Sequence, residues 1–297
     1  MWEDFFEQMQ KGDFRSLARC ISFVENETHG YEKMLLQLPA NDTPVIGITG
    51  PPGAGKSTMV DALLHEMVKA GKKVAVLCVD PSSPFNLGAL LGDRIRMSSW
   101  YNTPEVFIRS LATRGSLGGL HPKIVEITEL CKAASFDYIL VETVGVGQSE
   151  IEIAGLADVT VVVMVPEAGD EVQTMKAGLM EIADIFVVNK SDRPEADLFV
   201  KNLRLMLAPA FQRNQETPIV KTEATAGKGI ASLWEHIQTH LQSSATHEKK
   251  SWLLAERAWQ LIQSRRMRDV SKASLKNAIE KAQQKKDFNL YRFVSEL

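Results

Sequence analysis

A doubly wound α/β fold around a mostly parallel sheet is predicted by three observations. Short apolar runs alternate with helical stretches from residue 44 to about residue 241. Most of those runs are apolar at every position, as parallel strands covered on both faces require. The first run, Val45–Thr49, leads directly into a glycine-rich turn and then a helical pattern. That order places ligands beyond the carboxyl ends of the strands.

The first forty residues read as helical. Gly12 stops one helix, Asp13 offers an N-cap to the next, and Phe14, Leu17, Ala18, Ile21 and Val24 follow at helical spacing. A short helix is expected from Tyr31 to Leu38, ended by Pro39. Strands are expected at Val45–Thr49, Val74–Val79, Tyr138–Val141, Val159–Val165, Ile185–Val188 and Pro218–Lys221. The polar run 243–250 reads as a hinge. Beyond it Trp252, Ala255, Trp259 and Ile262 recur at spacings of 3, 4 and 3, the stripe of an amphipathic helix seeking a partner surface. More helix follows to about Lys286. The expected organisation is an N-terminal helical segment (1–43), an α/β domain (44–242) and a C-terminal helical arm (243–297).

Composition narrows the function classes. Thirty-four Lys and Arg against 37 Asp and Glu give a net charge of −3, which calls for neither nucleic acid nor a membrane surface. Cys20, Cys78 and Cys131 lie far apart without C-x-x-C spacing, which argues against a disulfide framework or zinc site and fits a reducing compartment. No apolar run reaches the roughly 18 residues of a membrane span. The acidic start Met1-Trp-Glu-Asp-Phe-Phe-Glu is unlike a signal peptide, so a cytoplasmic protein is expected.

The chemistry sits at the strand ends. Gly50-Pro51-Pro52-Gly53-Ala54-Gly55-Lys56-Ser57 fits G-x-x-x-x-G-K-S/T with the correct flanks. Glycines at 50, 53 and 55 allow successive N–H groups to curve around a phosphate chain. Lys56 would reach the β- and γ-phosphates, Ser57 would hold Mg²⁺, and the helix from Thr58 presents its positive dipole end. Asn189-Lys190-Ser191-Asp192 ends another apolar run as N-K-x-D. A carboxylate there accepts from both the N1–H and the 2-amino group of guanine, which adenine cannot match. Lys190 can lay its stem over the base. Val79-Asp80-Pro81 and Val141-Glu142-Thr143-Val144-Gly145 are acidic strand ends, suited to Mg²⁺ or its waters. The second is like the D-x-x-G element of GTPases with Glu142 for the acid, Gly145 offering an N–H to the γ-phosphate. Two polar, Gly-punctuated stretches, Pro81–Met97 and Glu167–Gln173, the second leading into Lys176, fit switch loops. His236 and His240 stand four apart on a helical stretch without a third ligand nearby and read as a solvated helix face, while Arg265, Arg266 and Arg268 form a short basic cluster that reads as a solvated or subunit-contacting face.

Together these strings resemble the MeaB/ArgK (MMAA-like) family of GTPases of the SIMIBI class. G-I-T-G-P-P-G-A-G-K-S-T (47–58), V-D-P-S-S-P-F (79–85), G-A-L-L-G-D-R-I-R-M (88–97), T-R-G-S-L-G-G-L (113–120), V-E-T-V-G-V-G-Q-S-E (141–150), E-A-G-D-E (167–171) and N-K-S-D (189–192) carry the resemblance. It implies a P-loop GTPase acting as a chaperone for an adenosylcobalamin-dependent acyl-CoA mutase, typically methylmalonyl-CoA mutase. Such proteins gate cofactor loading from an adenosyltransferase and help clear inactivated cofactor, as homodimers built through C-terminal helices. Carried over, Lys56 and Ser57 serve the phosphates and Mg²⁺, Asp80 and Asp93 approach the metal, and Glu142 holds the acidic strand end. Asn189 and Asp192 read guanine, the Ala224 N–H serves the base oxygen, and Asp170 and Lys176 lie in an additional switch that signals to the mutase. The sequence departs from the family at Asn86-Leu87-Gly88, where Thr-Gly-Gly is usual, and at Glu223, where serine is usual.

Gln148, three residues beyond Gly145, leaves the usual water-orienting position without a glutamine, which predicts slow GTP hydrolysis alone and acceleration by the mutase. Alternatives are a metal-insertion GTPase, which would need a His-rich tail or Cys pair, and a small-molecule (arginine-type) kinase, which would pass phosphate to an acceptor.

Overall fold

The computed structural model describes residues 2–80, 97–113, 120–144, 152–168, 177–207, 217–267, 269–284 and 288–296. Residues Met1–Leu253 form one compact unit and Leu254–Leu297 a second.

In the first unit seven strands form one sheet: β1 Val45–Thr49, β2 Val74–Asp80, β3 Val106–Ala112, β4 Tyr138–Glu142, β5 Val159–Met164, β6 Ile185–Val188 and β7 Ile219–Lys221. Their order is β3-β2-β4-β1-β5-β6-β7, and every pairing is parallel. β1 is flanked by β4 on one side and β5 on the other, so the loop leaving its carboxyl end opens at the point where the winding reverses.

Alternate residues of the apolar runs feed opposite faces. Val45, Ala75, Leu77, Ile139 and Val141 turn to one core, and Ile46, Ile48, Val74, Val76 and Leu140 to the other. The second core is closed by α4 (Lys56–Lys69), through Met59, Leu63 and Met67, and by α8 (Ile230–Leu241), through Leu233 and Ile237. Each side chain of that size contributes roughly 1.5–3 kcal/mol on burial. The first core is closed by α5 (Ile124–Ala133) and by the N-terminal helices α1 (Glu3–Gln10), α2 (Phe14–Glu25) and α3 (Tyr31–Leu35). Met9, Leu17, Ile21, Val24 and Met34 are fully buried there, so these helices are built into the sheet's core. Asp13 caps α2 by accepting from the Ser16 N–H at 2.9 Å. α6 (Ala177–Ile182) and α7 (Ala196–Leu207) supply Leu179, Phe199 and Leu203 to a third cluster against Phe186 and Val188.

The strand β3 is a correction to the sequence reading, which placed none there. Arg109 and Ser110 interrupt its apolar run, and as an edge strand it pairs with β2 alone. Arg109 is tied to the N-terminal helices by an ion pair with Glu25 and a 3.1 Å hydrogen bond to Ser22 Oγ. The short helix α3 ends at Leu35, ahead of the expected Leu38. The run expected as a hinge is helical from Ser244, within α9 (Ser244–Arg266). It is polar but contains neither glycine nor proline to break a helix.

The second unit takes up the rest of α9, then α10 (Lys272–Ala282) and α11 (Leu290–Ser295). Ser271 and Ser274 form a reciprocal capping box at the start of α10, and Asn289 caps α11. Along α9, Trp252, Trp259 and Ile262 are exposed by 80%, 58% and 47%, an exposed apolar stripe, while Arg257 on the same helix is buried. No helix among the described residues is long and apolar enough to cross a membrane.

Candidate nucleotide site

The loop after β1 bends through Gly50, Gly53 and Gly55, with φ of 138°, 75° and 90°. All three lie where a side chain is strained. At Gly50 and Gly55 space is also closed: a Cβ at Gly50 would overlap the Val163 carbonyl, and one at Gly55 the Asn189 amide nitrogen. Gly55 stands at the N-cap of α4, whose first turn begins with Lys56, Ser57 and Thr58. The Lys56 side chain is buried and folds back over the loop, its Nζ donating to the carbonyls of Gly50 at 2.9 Å and Pro51 at 3.1 Å. Pro52, Gly53, Thr58, Asp80, Glu142 and Lys190 are among the residues lining a cavity of about 460 Å³.

Parallel register brings the acids to this mouth. Glu142, the last residue of β4, pairs with Ile48 of β1 and with Cys78 of β2. Its Oε1 accepts the Ser57 hydroxyl at 2.7 Å. Asp80 ends β2, and both acids are buried, exposed by 6% and 4% for Asp80 and Glu142. Buried carboxylates are costly unless partnered or metal-bound. A hydroxyl and carboxylates, all hard oxygen donors, suit a small divalent cation.

Asn189 joins three segments. Its Nδ2 donates to the Ala54 carbonyl at 2.9 Å, across 135 residues of chain. Its Oδ1 accepts from Thr222 Oγ1 and from the Ala224 N–H, both at 3.1 Å. The side chain is 3% exposed, so all three bonds are made away from water. Lys190 adopts φ 56° and donates from Nζ to the Gly53 carbonyl at 2.9 Å. A non-glycine residue in the left-handed region is uncommon, and here it aims the lysine over the phosphate loop. The Ser191 N–H donates to the Thr222 carbonyl at 3.0 Å, and Asp192 follows with its side chain exposed. Arg193 forms an ion pair with Glu167, the first residue of the stretch expected as the second switch.

The structure thus gathers Gly50 to Thr58, Asp80, Glu142, Asn189, Lys190, Asp192 and Ala224 at the carboxyl end of one sheet. Asp93, Gly145, Gln148, Asp170 and Lys176 lie outside the described residues, as do most of the two stretches expected as switches. Sequence reasoning matched Thr222 only as part of the string Thr222-Glu223-Ala224 and gave it no role of its own; it follows β7 directly and donates its hydroxyl to Asn189. Sequence reasoning missed the 2.9 Å bond between Thr143 and Thr49 that clasps the ends of β4 and β1. Position at a strand end is the signal that marks both. His240 stands 3.6 Å from Asp184, and no group of three His, Cys, Asp or Glu side chains able to hold a metal occurs among the described residues.

A sequence profile of the family described as methylmalonyl Co-A mutase-associated GTPase MeaB matches residues 17–280. The chain belongs to this family. A relative in Pyrococcus horikoshii, named provisionally as a GTPase, is 49% identical over 245 residues, 80% of this chain and 77% of its own. The mouse mitochondrial methylmalonic aciduria type A homolog is 33% identical over 287 residues, 85% of this chain and 67% of its own. Among solved structures, one named a LAO/AO transport system kinase superposes with a TM-score of 0.66 at 26% identity, covering 96% of this chain and 87% of that one. Membership makes the chain a P-loop GTPase of a family associated with methylmalonyl-CoA mutase.

Proposed function

We propose that this MeaB-family GTPase is a GTP-hydrolysing chaperone that gates adenosylcobalamin loading onto an acyl-CoA mutase of the methylmalonyl-CoA type, and protects or reactivates that mutase. The mutase side of the reading is supported by the family match, and its nucleotide side by the Asn189 junction, which joins the phosphate loop to the N-K-x-D loop. Lys56 offsets charge on the β- and γ-phosphates, and the loop's N–H groups cradle them. Asp192 accepts from N1–H and the 2-amino group of the base, while the Ala224 N–H serves the base oxygen. Ser57, Asp80 and Glu142 would hold Mg²⁺, joined by Asp93, and the ion when bound supplies charge neutralisation at the phosphates. Water attacks the γ-phosphorus in line with the departing GDP oxygen.

Hydrolysis is slow in the isolated chain, because no glutamine follows Gly145 to orient water; Gln148 lies three residues on. Asp170 and Lys176 carry the nucleotide state to the mutase. The exposed stripe of Trp252, Trp259 and Ile262 supports a homodimer through the helical arm 243–297, an adenosyltransferase is the source of cofactor, and the setting is cytoplasmic. The test is single-turnover GTP hydrolysis by the full chain with and without an adenosylcobalamin-dependent mutase. Acceleration is expected, and equal rates would sink the chaperone reading. The kinase name borne by the similar solved structure motivates a second arm: label moving from the γ-phosphate of GTP to arginine would replace the chaperone by a kinase.

A further inference from the structure

Glu142 and Thr143 are consecutive, so on an extended backbone their side chains leave the sheet on opposite faces. Glu142 turns to α4, where its Oε1 accepts the Ser57 hydroxyl at 2.7 Å. Thr143 turns to the other face, where its hydroxyl donates to that of Thr49 at 2.9 Å. Thr49 is the last residue of β1 and stands directly before the phosphate loop, as Thr143 stands directly after Glu142, the last of β4. Backbone pairing of the two strands runs in register as far as Ile48 and Glu142, and the Thr143 N–H adds a bond to the Ile48 carbonyl at 3.0 Å. One residue further along β1, the hydroxyls link the two side chains.

That bond is made in apolar surroundings. Thr49 and Thr143 are 0% and 1% exposed. They lie on the face fed by Val45 and Val141, where a Cβ on Gly47 would overlap Ile153 and Ala157. A pair of valines has the same shape, and exchanging both partners of a buried hydrogen bond for apolar groups is nearly neutral for stability. What the hydroxyls add is therefore direction, because an O–H···O bond fixes a distance that methyl contacts leave free to vary. The distance fixed lies between the residue that opens the phosphate loop and the residue that follows the acid.

We propose that Thr49 and Thr143 are positioning residues for the Mg²⁺ site: their hydroxyl bond, made behind the sheet, holds the two strand ends at the separation where Glu142 meets Ser57. This rests on the reading of Ser57 and Glu142 as residues that hold the ion. With the bond in place the oxygen donors are already gathered, and the ion spends little of its binding on ordering them. Without it the phosphate loop and the acid still form, but their spacing is no longer set.

The test measures binding of a ribose-labelled, non-hydrolysable GTP analogue to the full chain in Mg²⁺ and in EDTA, with a urea midpoint for every variant. The quantity read is the Mg²⁺ factor, the ratio of the two dissociation constants. Thr49→Val/Thr143→Val strands no hydroxyl of the pair, so its urea midpoint should stay near the parent's. Its Mg²⁺ factor should nevertheless fall about 5-fold, the scale of one net hydrogen bond, with affinity in EDTA unchanged. Thr143→Ser and Thr143→Ala lose the same methyl and differ only in the hydroxyl, so Thr143→Ser should keep the factor and Thr143→Ala should lose it. That comparison decides the matter where the double variant folds poorly. A well-folded double variant with the parent's factor, one that loses affinity equally with and without the ion, or equal factors for Thr143→Ser and Thr143→Ala would overturn the proposal. A parent chain that binds the analogue equally in Mg²⁺ and in EDTA overturns the metal reading itself, a result read without any variant.

Discussion

Replacing Asn189 by alanine removes a side chain that ties its own loop to both the phosphate loop and the loop after β7. It strands the Ala54 carbonyl, the Thr222 hydroxyl and the Ala224 N–H, whose bonds to Asn189 are 2.9, 3.1 and 3.1 Å long. The residue is 3% exposed and Thr222 fully buried, so water replaces those partners poorly. At about 1 kcal/mol for each stranded group, the low end of the range for buried polar atoms, the loss is roughly 3 kcal/mol, or about 150-fold in the folding equilibrium. Urea unfolding of the Met1–Leu253 unit, followed through buried Trp100 and Trp234, checks it. Nucleotide affinity should fall in the same variant, since Ala54 and Ala224 flank the phosphate and base positions. Asn189→Asp separates the contributions, keeping an acceptor for Thr222 and Ala224 while setting a carboxylate oxygen against the Ala54 carbonyl. An Asn189→Ala chain with the stability and affinity of the parent would refute the view that this amide organises the site.

Gly50→Ala should abolish nucleotide binding, because its Cβ would overlap the Val163 backbone, whereas Gly53→Ala, with open space around it, should cost only the left-handed strain of about 1–2 kcal/mol; titration with a fluorescent GTP analogue distinguishes them. Leu17→Ala, at a fully buried position of α2, should lower stability by roughly 3 kcal/mol in urea unfolding if the N-terminal helices share the sheet's core, and by almost nothing if they are an appendage. Asp13→Ala should cost about 1 kcal/mol at neutral pH by removing the α2 cap. Hydrogen bonding by Ser16 holds the Asp13 carboxyl below its ordinary value of 3.8, so the cap's stabilisation is complete above that pH and is lost as pH falls through the lowered value. The gap between parent and variant in denaturant midpoint should therefore persist at neutral pH and close in acid.

The strands were legible wherever both faces are buried, because each position then has to be apolar; Val45–Thr49 and Ile185–Val188 have the expected bounds. β3 was not, since Arg109 satisfies a contact with Glu25 made by the tertiary fold and spoils the local pattern. The phosphate loop was legible because eight consecutive residues set its curvature among themselves. The acids at Asp80 and Glu142 were legible as strand ends, but the bond from Ser57 to Glu142 joins residues 85 apart and follows from register. The Asn189 junction was the least legible part. N-K-x-D named the residue, yet nothing local says that its amide reaches Ala54 or that Thr222 completes its acceptor.

That junction gives Gly55 a second reason to be glycine. Its φ of 90° suits the curve around a phosphate, and the missing Cβ also leaves the space that the Asn189 amide occupies. Lys190 adds a parallel bond to the Gly53 carbonyl, so the base loop grips the phosphate loop at two of its residues, Gly53 and Ala54. These bonds fix the separation of the two loops, which reduces the ordering that a bound nucleotide has to supply. The same rigidity makes the two ends of the nucleotide interdependent. A base that displaces Asn189 disturbs the carbonyl of Ala54, and with it the peptides that hold the phosphates. Under the proposed reading, selection for guanine and affinity for triphosphate are properties of one bonded frame.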